Sequence, residues 1–375
     1  MFTLDRCSAV TRANEILSPA AEVTRSAFYL PSQGQPLFAW LHYRQTPPPL
    51  AHGVLLCPPL GHEQVHSHRA WHQLAEALAG AGFLVLRPDL HGTGDSAGMA
   101  EDADCHSVWL ANLHDARLWL QQNLGCDKVS LIGLRLGAAL AMEVATTARV
   151  DNLLLWAPIV SGRRYIREMR ALSLTATAQA PPLPDAPGAI EAAGFVISKQ
   201  TADSLTKLDL LKIHPQCRRA LILSRDDLAP DRRLLDHLLA LGIDAEQSAQ
   251  TGYAAMMAEP HYSKLPRQAI AYAVAWLLAG SASENPRRCD VATEVGQVAK
   301  TWTMTWRGTP TSATDQELIE ERVFPIGPGP DLFGVLSEPR KRSRDDLPII
   351  VMLNAGSAYR IGPNRLYVLL ARQLA

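Results

Sequence analysis

Between Gly53 and Ser224, short runs of almost wholly apolar residues alternate with longer stretches of helical period. The runs are GVLLC, FLVLRPD, KVSLIG, NLLLWA and RALILS, preceded by AFYL and LFAWLHY. HRAWHQLAEALAGAG, VWLANLHDARLWLQQNLG and GAALAMEVATTA lie between them. A strand without polar alternation is covered on both faces, and strand–helix–strand order with right-handed crossovers yields parallel neighbours. The expected fold class is therefore α/β, a doubly wound, mostly parallel sheet. Ligands of such sheets sit beyond the carboxyl ends of the strands, so the residues just after each strand are the ones to examine.

Composition narrows the partners. Apolar residues make up 47% and charged ones 19%, which leaves ample core material and no signature of disorder. Lys+Arg total 36 against 37 Asp+Glu, for a net charge of -1, so no overall basic field exists to hold nucleic acid or an anionic membrane. The six cysteines are scattered singly without a CxxC pair, against a zinc ribbon or a disulfide framework and in favour of a reducing compartment. No apolar stretch reaches bilayer length, and the N-terminus lacks a signal-peptide core. The expectation is a cytoplasmic protein with no nucleic-acid partner, no membrane span and no cofactor.

The pattern breaks at about 161–215, an Arg-rich then Ala/Pro-rich insert between two core strands that reads as a cap over the ligand edge. It resumes with RALILS, the amphipathic DRRLLDHLLALG, the strand-like DAEQSAQ and the helix RQAIAYAVAWLLAG, so one domain spans 22–281. A polar linker follows at 282–315. Beyond it, DLFGVL resembles PLFAWL, PIIVML has the character of HGVLLC, and NRLYVLLARQLA aligns with HRAWHQLAEALA without a gap. The register matches Arg365 to Arg69, Tyr367 to Trp71, Leu370 to Leu74 and Leu374 to Leu78. Residues 316–375 thus read as the truncated start of a second repeat, a tail that docks on the first domain or on a partner. A chain ending near Ser281 is expected to fold as well as the whole.

Two motifs can carry chemistry. PDLHGTGDSAG, Pro88 to Gly98, is a glycine-rich polar turn after a strand. In KVSLIGLRLGAALA a strand passes through a tight turn into a small-residue helix, and Gly133-Leu134-Arg135-Leu136-Gly137 has the spacing of the nucleophile elbow G-x-S-x-G. There the glycines relieve crowding and the central side chain stands at the helix N-terminus. The centre here is Arg135.

Together these motifs resemble the α/β-hydrolase superfamily. CPPLGHE, LAGAGFLVLRPDLHGTGDSAG, GLRLGA and GRRYIREMRAL make the chain similar, over about 22–279, to exosortase A system-associated hydrolases, which themselves resemble serine aminopeptidases. The resemblance implies hydrolysis of an ester, thioester or amide and an association with exopolysaccharide loci. It also implies an acid at Asp226 or Asp227, a histidine at His261, and oxyanion donors from the Leu136 N–H and the Leu60-Gly61-His62 loop.

The elbow departs from that pattern. A guanidinium stays protonated and offers no lone pair, so Arg135 is no nucleophile and His261 would have nothing there to activate. Arg135 instead suits a carboxylate or phosphate, or an internal pair with Asp226 or Asp227. The ligand expected is a small acyl or anionic molecule, bound by a hydrolase or by a non-catalytic binder with an anion pocket at Arg135. Cys57 and Ser161 are weaker candidates to attack, and water activated by His261 and an Asp is a further route. His62-Glu63-Gln64-Val65-His66 reads H-E-x-x-H, with His68 and His72 after it, but it begins where a strand ends, with its first histidine in a loop, so no metal is expected. The basic run RKRSRDD reads as a solvated loop, and Trp109, Leu113, Trp119 and Leu120 as core packing.

Overall fold

The computed structural model describes residues 22–176, 188–281, 287–289, 291, 298–306, 317–327, 332–340, 348–353 and 361–375. The chain enters through an antiparallel hairpin, β1 (Val23–Ser32) and β2 (Gln35–Arg44). Its two-residue turn is Gln33-Gly34, both at positive φ (50° and 72°), the backbone that matches strand twist. The core strands follow as β3 (His52–Cys57), β4 (Leu84–Pro88), β5 (Lys128–Leu134) and β6 (Val150–Trp156). Six residues of insert, β7 (Ile190–Ala192) and β8 (Phe195–Ile197), pair only with each other. The large sheet is completed by β9 (Cys217–Ser224) and β10 (Asp244–Ala249). Its order is β1-β2-β4-β3-β5-β6-β9-β10, parallel from β4 to β10. The doubly wound α/β sheet is what the strand pattern predicts.

Alternation within β3 shows why both faces had to be apolar. Leu55 and Cys57 pack with α2 (Cys105–Gln122) and α3 (Leu136–Thr147), while Val54 and Leu56 pack with α1 (His62–Gly80) and, later in the chain, the helix Arg267–Ser281. Leu113 and Leu120 lie wholly in the first of these cores with Trp109, and Phe28 stacks on Trp119 at 4.8 Å. Each such leucine contributes about 1.5–3 kcal/mol of burial.

One polar group inside this core reports on pH. His52 is buried at the start of β3, bonded to Ser130 Oγ (2.8 Å) and Ser281 Oγ (3.1 Å), and burial, then Lys128 and Arg218, lower its pKa to about 4. A histidine lowered by folding stays neutral while the unfolded chain takes a proton. Its share of stability is therefore full above about pH 6.5 and lost as pH falls toward about 4, on the order of 3 kcal/mol. Urea midpoints at pH 7.5 and 4.5 should differ less for His52→Gln than for the wild type; an unchanged difference would refute this assignment.

The insert crosses the carboxyl edge of the sheet as α4 (Gly162–Ala176), the β7–β8 hairpin and α5 (Lys199–Thr206). After β9 come α6 (Arg233–Ala240), the short α7 (Tyr253–Met256) and α8 (Arg267–Ser281).

The C-terminal part corrects several expectations. The linker expected at 282–315 contains a strand, β11 (Thr301–Trp306), in a separate antiparallel sheet with β12 (Glu317–Pro325) and β13 (Phe333–Pro339). That sheet packs on the first hairpin, where Phe333 meets Trp40 at 4.6 Å and the Lys300 ammonium donates to Ser26 Oγ and the Ala27 carbonyl. Residues 348–353 form no strand, and Ile349, Ile350, Val351 and Leu353 are exposed. A parallel strand needs ladder partners, and no described strand flanks this one. The last helix, α9 (Leu366–Leu374), docks by a face other than the one its match to α1 implies. Leu74 and Leu78 are fully buried, whereas Leu370 and Leu374 are 40% and 54% exposed; Arg69 is exposed, whereas Arg365 is buried. The tail is thus joined to the first domain through buried arginines, the first of the two dockings expected of it. The RKRSRDD run after Arg340 lies outside the described residues.

Candidate active site

The elbow is built at the topological switch, where β3 lies between β4 and β5 and Cys57 pairs in register with Gly133. The strand–helix turn leaves no room for side chains. A Cβ on Gly133 would lie 2.4 Å from Ala138 Cα, and one on Gly137 2.2 Å from the Cys57 carbonyl oxygen. Arg135 adopts φ 54°, ψ −117°, a conformation that costs a non-glycine residue about 1–3 kcal/mol. Its N–H donates to the Trp156 carbonyl (2.9 Å) and its carbonyl accepts from Ala138, so the strained turn is held by backbone bonds and not by the identity of its side chain.

Arg135 is buried and its guanidinium pairs through Nε and Nη2 with acids of the protein itself. Nε donates to Glu63 Oε1 at 2.5 Å, and Nη2 to both oxygens of Glu168 at 3.3 and 3.2 Å. Burial works against the cation, but Glu63, Tyr253 and Glu168 outweigh it and raise the Arg135 pKa further. Burial raises the Glu63 carboxyl, with Arg135 opposing, and Glu63 Oε2 has no hydrogen-bond partner. The internal partners are therefore Glu63 and Glu168, not Asp226 or Asp227.

Those two aspartates do other things. Asp226 accepts from the N–H groups of Gly252 (2.6 Å) and Ala254 (3.1 Å), fixing the turn into α7, and Asp227 holds Arg225 through two bonds of 2.8 and 2.7 Å. His261 is exposed on the following loop. The residue that the turn after β10 turns inward is Tyr253, buried beneath the Arg225 guanidinium at 4.9 Å. Asp226 and Asp227 thus hold the α7 turn and Arg225, with Asp227 near enough to the elbow for Arg135 to help lower its carboxyl pKa.

Gly61, at φ 62°, precedes α1, and Leu136 opens α3. His62 is the first residue of α1 and not a loop residue, which corrects one expectation. The H-E-x-x-H side chains have separate partners: the His62 and His66 rings meet edge to face at 5.7 Å, but Glu63 goes to Arg135 and His66 Nδ1 bonds the Met257 carbonyl at 2.9 Å. Cys57 is wholly buried, which pushes its thiol pKa up and leaves it inert. Among the described residues, metal-ligand spacing occurs at His42, His72 and Glu76, whose ligand atoms lie within 4.8 Å of one another. Arg25 stands 3.9 Å from the same Glu76 oxygen that His42 holds at 2.7 Å, so this carboxylate already balances a cation.

Beside the elbow lies a cavity of about 120 Å³. Leu60, Gly61, His62 and Leu136 form its floor, and Trp109, Met169, Phe195, Ile197 and Leu205 its mostly apolar sides. Arg135 is not among its lining residues. The α4–α5 insert therefore covers this edge of the sheet. Glu63 and Glu168 are what the sequence reading missed: a buried elbow arginine demands an acid, and CPPLGHE and GRRYIREMRAL each contain one.

A sheet of this order, with its strand–turn–helix elbow and an insert over the carboxyl edge, defines the α/β-hydrolase fold. Residues 61–222 match the model of the serine aminopeptidase family S33. Among solved structures, Est1E from Butyrivibrio proteoclasticus with ferulic acid bound is 18% identical, covering 68% of this chain and 98% of its own, with a TM-score of 0.51. A second structure of Est1E is 16% identical over the same shares, at 0.49. Brefeldin A esterase, a bacterial homologue of human hormone sensitive lipase, is 14% identical over 74% of this chain and 86% of its own, at 0.46. No curated protein sequence matches the chain. Among the described residues no helix is long and apolar enough to cross a membrane.

Proposed function

We propose that this protein is a ligand-binding member of the superfamily in which a structural ion pair has replaced the serine nucleophile. The observation that carries this is the pairing of Arg135 with Glu63 and Glu168, which fills the elbow with neutralised, buried charge. It also argues against a free anion pocket at Arg135. The cavity is comparable with one of ~150 Å³ that holds benzene, so its ligand is an uncharged group of about the size of an aromatic ring or short acyl chain.

A second reading keeps the hydrolase activity of the family: an ester, thioester or amide cleaved by water, with His261 and Asp226 or Asp227 assisting. The floor of the cavity supports it, because Leu136 lines it and opens a helix, and the first N–H groups of a helix have no intrahelical partner and suit an oxyanion. A link to exopolysaccharide systems and a cytoplasmic setting rest on resemblance and on cysteines outside any disulfide.

p-Nitrophenyl acetate, butyrate and hexanoate separate the two. The binder reading expects no turnover above buffer, no labelling by a fluorophosphonate, and saturable heat on titration with indole. Turnover abolished by His261→Ala would establish the hydrolase instead.

A further inference from the structure

The hydrolase domain does not close this cavity by itself. Ile361, Asn364, Arg365 and Leu369 complete its wall, and they belong to the segment that begins beyond the three-stranded sheet. We infer that residues 361–375 are the outer wall of the ligand site and the gate through which ligand enters, an inference that rests on the cavity being a ligand site.

The attachment is polar and directional. Arg365 donates through Nε to the Gly94 carbonyl (2.7 Å), through Nη1 to Gly98 (2.6 Å) and through Nη2 to Ser96. Arg372 donates to the carbonyls of Ser96 (3.1 Å) and Asp95 (2.8 Å). All of these acceptors belong to the PDLHGTGDSAG turn, and Gly92, Thr93 and Gly94 of that turn line the same cavity. The wall and the site are thus tied at one place.

Little apolar surface holds the segment down. In α9 only Val368 and Arg372 are buried, while Leu366, Leu370 and Leu374 face solvent along one stripe. Carbonyls, the two guanidinium groups and the Glu321 carboxylate that Arg372 holds can all be rehydrated when the helix lifts, so opening forfeits directional polar bonds and exposes little hydrophobic area. Burial pulls the Arg365 pKa down to about 9, as expected of a cation whose hydrogen bonds go to carbonyls and none to a carboxylate. The wall also rests on the cap: a Cβ on Gly194 would lie 2.3 Å from the Asn364 amide nitrogen. Leu369 and Asn364 therefore help set the size of ligand admitted.

Met169, buried on the opposite side of the cavity, supplies a reporter. With Met169→Cys, N-ethylmaleimide labelling of that site, followed by peptide mass spectrometry, should accelerate at least tenfold when Arg365→Met is added. An unchanged rate would refute the gate. In the unaltered protein, amides of 366–374 should exchange at least a hundredfold faster than those of 128–134, and equal protection would also refute it. Leu369→Trp, which fills the cavity from the wall side, should weaken indole binding at least tenfold; wild-type affinity would show that the segment is no part of the site. If indole fails to bind the wild type, the ligand reading falls while the labelling and exchange results still decide the gate.

Discussion

Arg135→Ser, which writes a serine into the G-x-S-x-G frame, is expected to give a less stable protein and no esterase. The side chains of Arg135 and Glu63 are only 6% and 5% exposed, and Glu63 Oε2 already lacks a partner. Removing the guanidinium leaves a buried carboxylate uncompensated, a loss of about 3–5 kcal/mol. For a domain of this size that is a fall in Tm of roughly 10 °C. The new hydroxyl is expected to find no oriented base, because Asp226 and Asp227 hold the α7 turn and Arg225 and His261 is exposed. Replacing both partners, as Arg135→Met with Glu63→Leu, removes the unpaired charge and should recover most of the stability. The measurement is a double-mutant cycle by chemical denaturation. Wild-type stability for Arg135→Ser, or turnover of p-nitrophenyl butyrate by it, would overturn the account of the elbow.

The second large effect is expected at Arg372→Met. Arg372 and Glu321 form a buried pair through bonds of 2.8 Å to both carboxylate oxygens, and Ser337 and Tyr29 donate to the same acid at 3.0 and 3.3 Å. Loss of the cation should remove about 3–5 kcal/mol from the junction of α9, β12 and the first domain. Burial alone would raise the Glu321 carboxyl, but Arg372 and the hydrogen bonds outweigh it and hold the pKa below the ordinary carboxylate value. A depressed folded pKa means stability that is present above about pH 4.3 and lost as pH falls through the folded value. The junction should therefore release in acid, and Arg372→Met should move that release to higher pH. Tryptophan fluorescence follows it, since Trp40 and Trp302 pack at the same interface. Coincident acid transitions for wild type and variant would refute the assignment.

The two sites were unequally legible. PDLHGTGDSAG and GLRLG announced a turn and an elbow because their glycines answer to local backbone geometry. Glu63 stood inside a sequence with the outline of a zinc motif, and only its position opposite Arg135 shows what it does. His261 fitted the chain order of a triad, yet the loop carries it outward, while Tyr253 occupies the inward position after β10. The resemblance of NRLYVLLARQLA to HRAWHQLAEALA is real in register and misleading in packing, because a helix turns its face to whatever surface is available.

Local pattern by itself determined the core strands between Gly53 and Ser224, the helices between them, the parallel class of the sheet and the elbow, since period, glycine placement and two-sided burial act between near neighbours in the chain. Tertiary structure alone decided the partner of Arg135, the fate of the triad candidates and the place of the tail. The reason is physical: a buried charge must be neutralised by whatever acid the fold brings within reach, and those acids lie far away in sequence, Glu63 seventy-two residues before Arg135 and Glu321 fifty-one before Arg372.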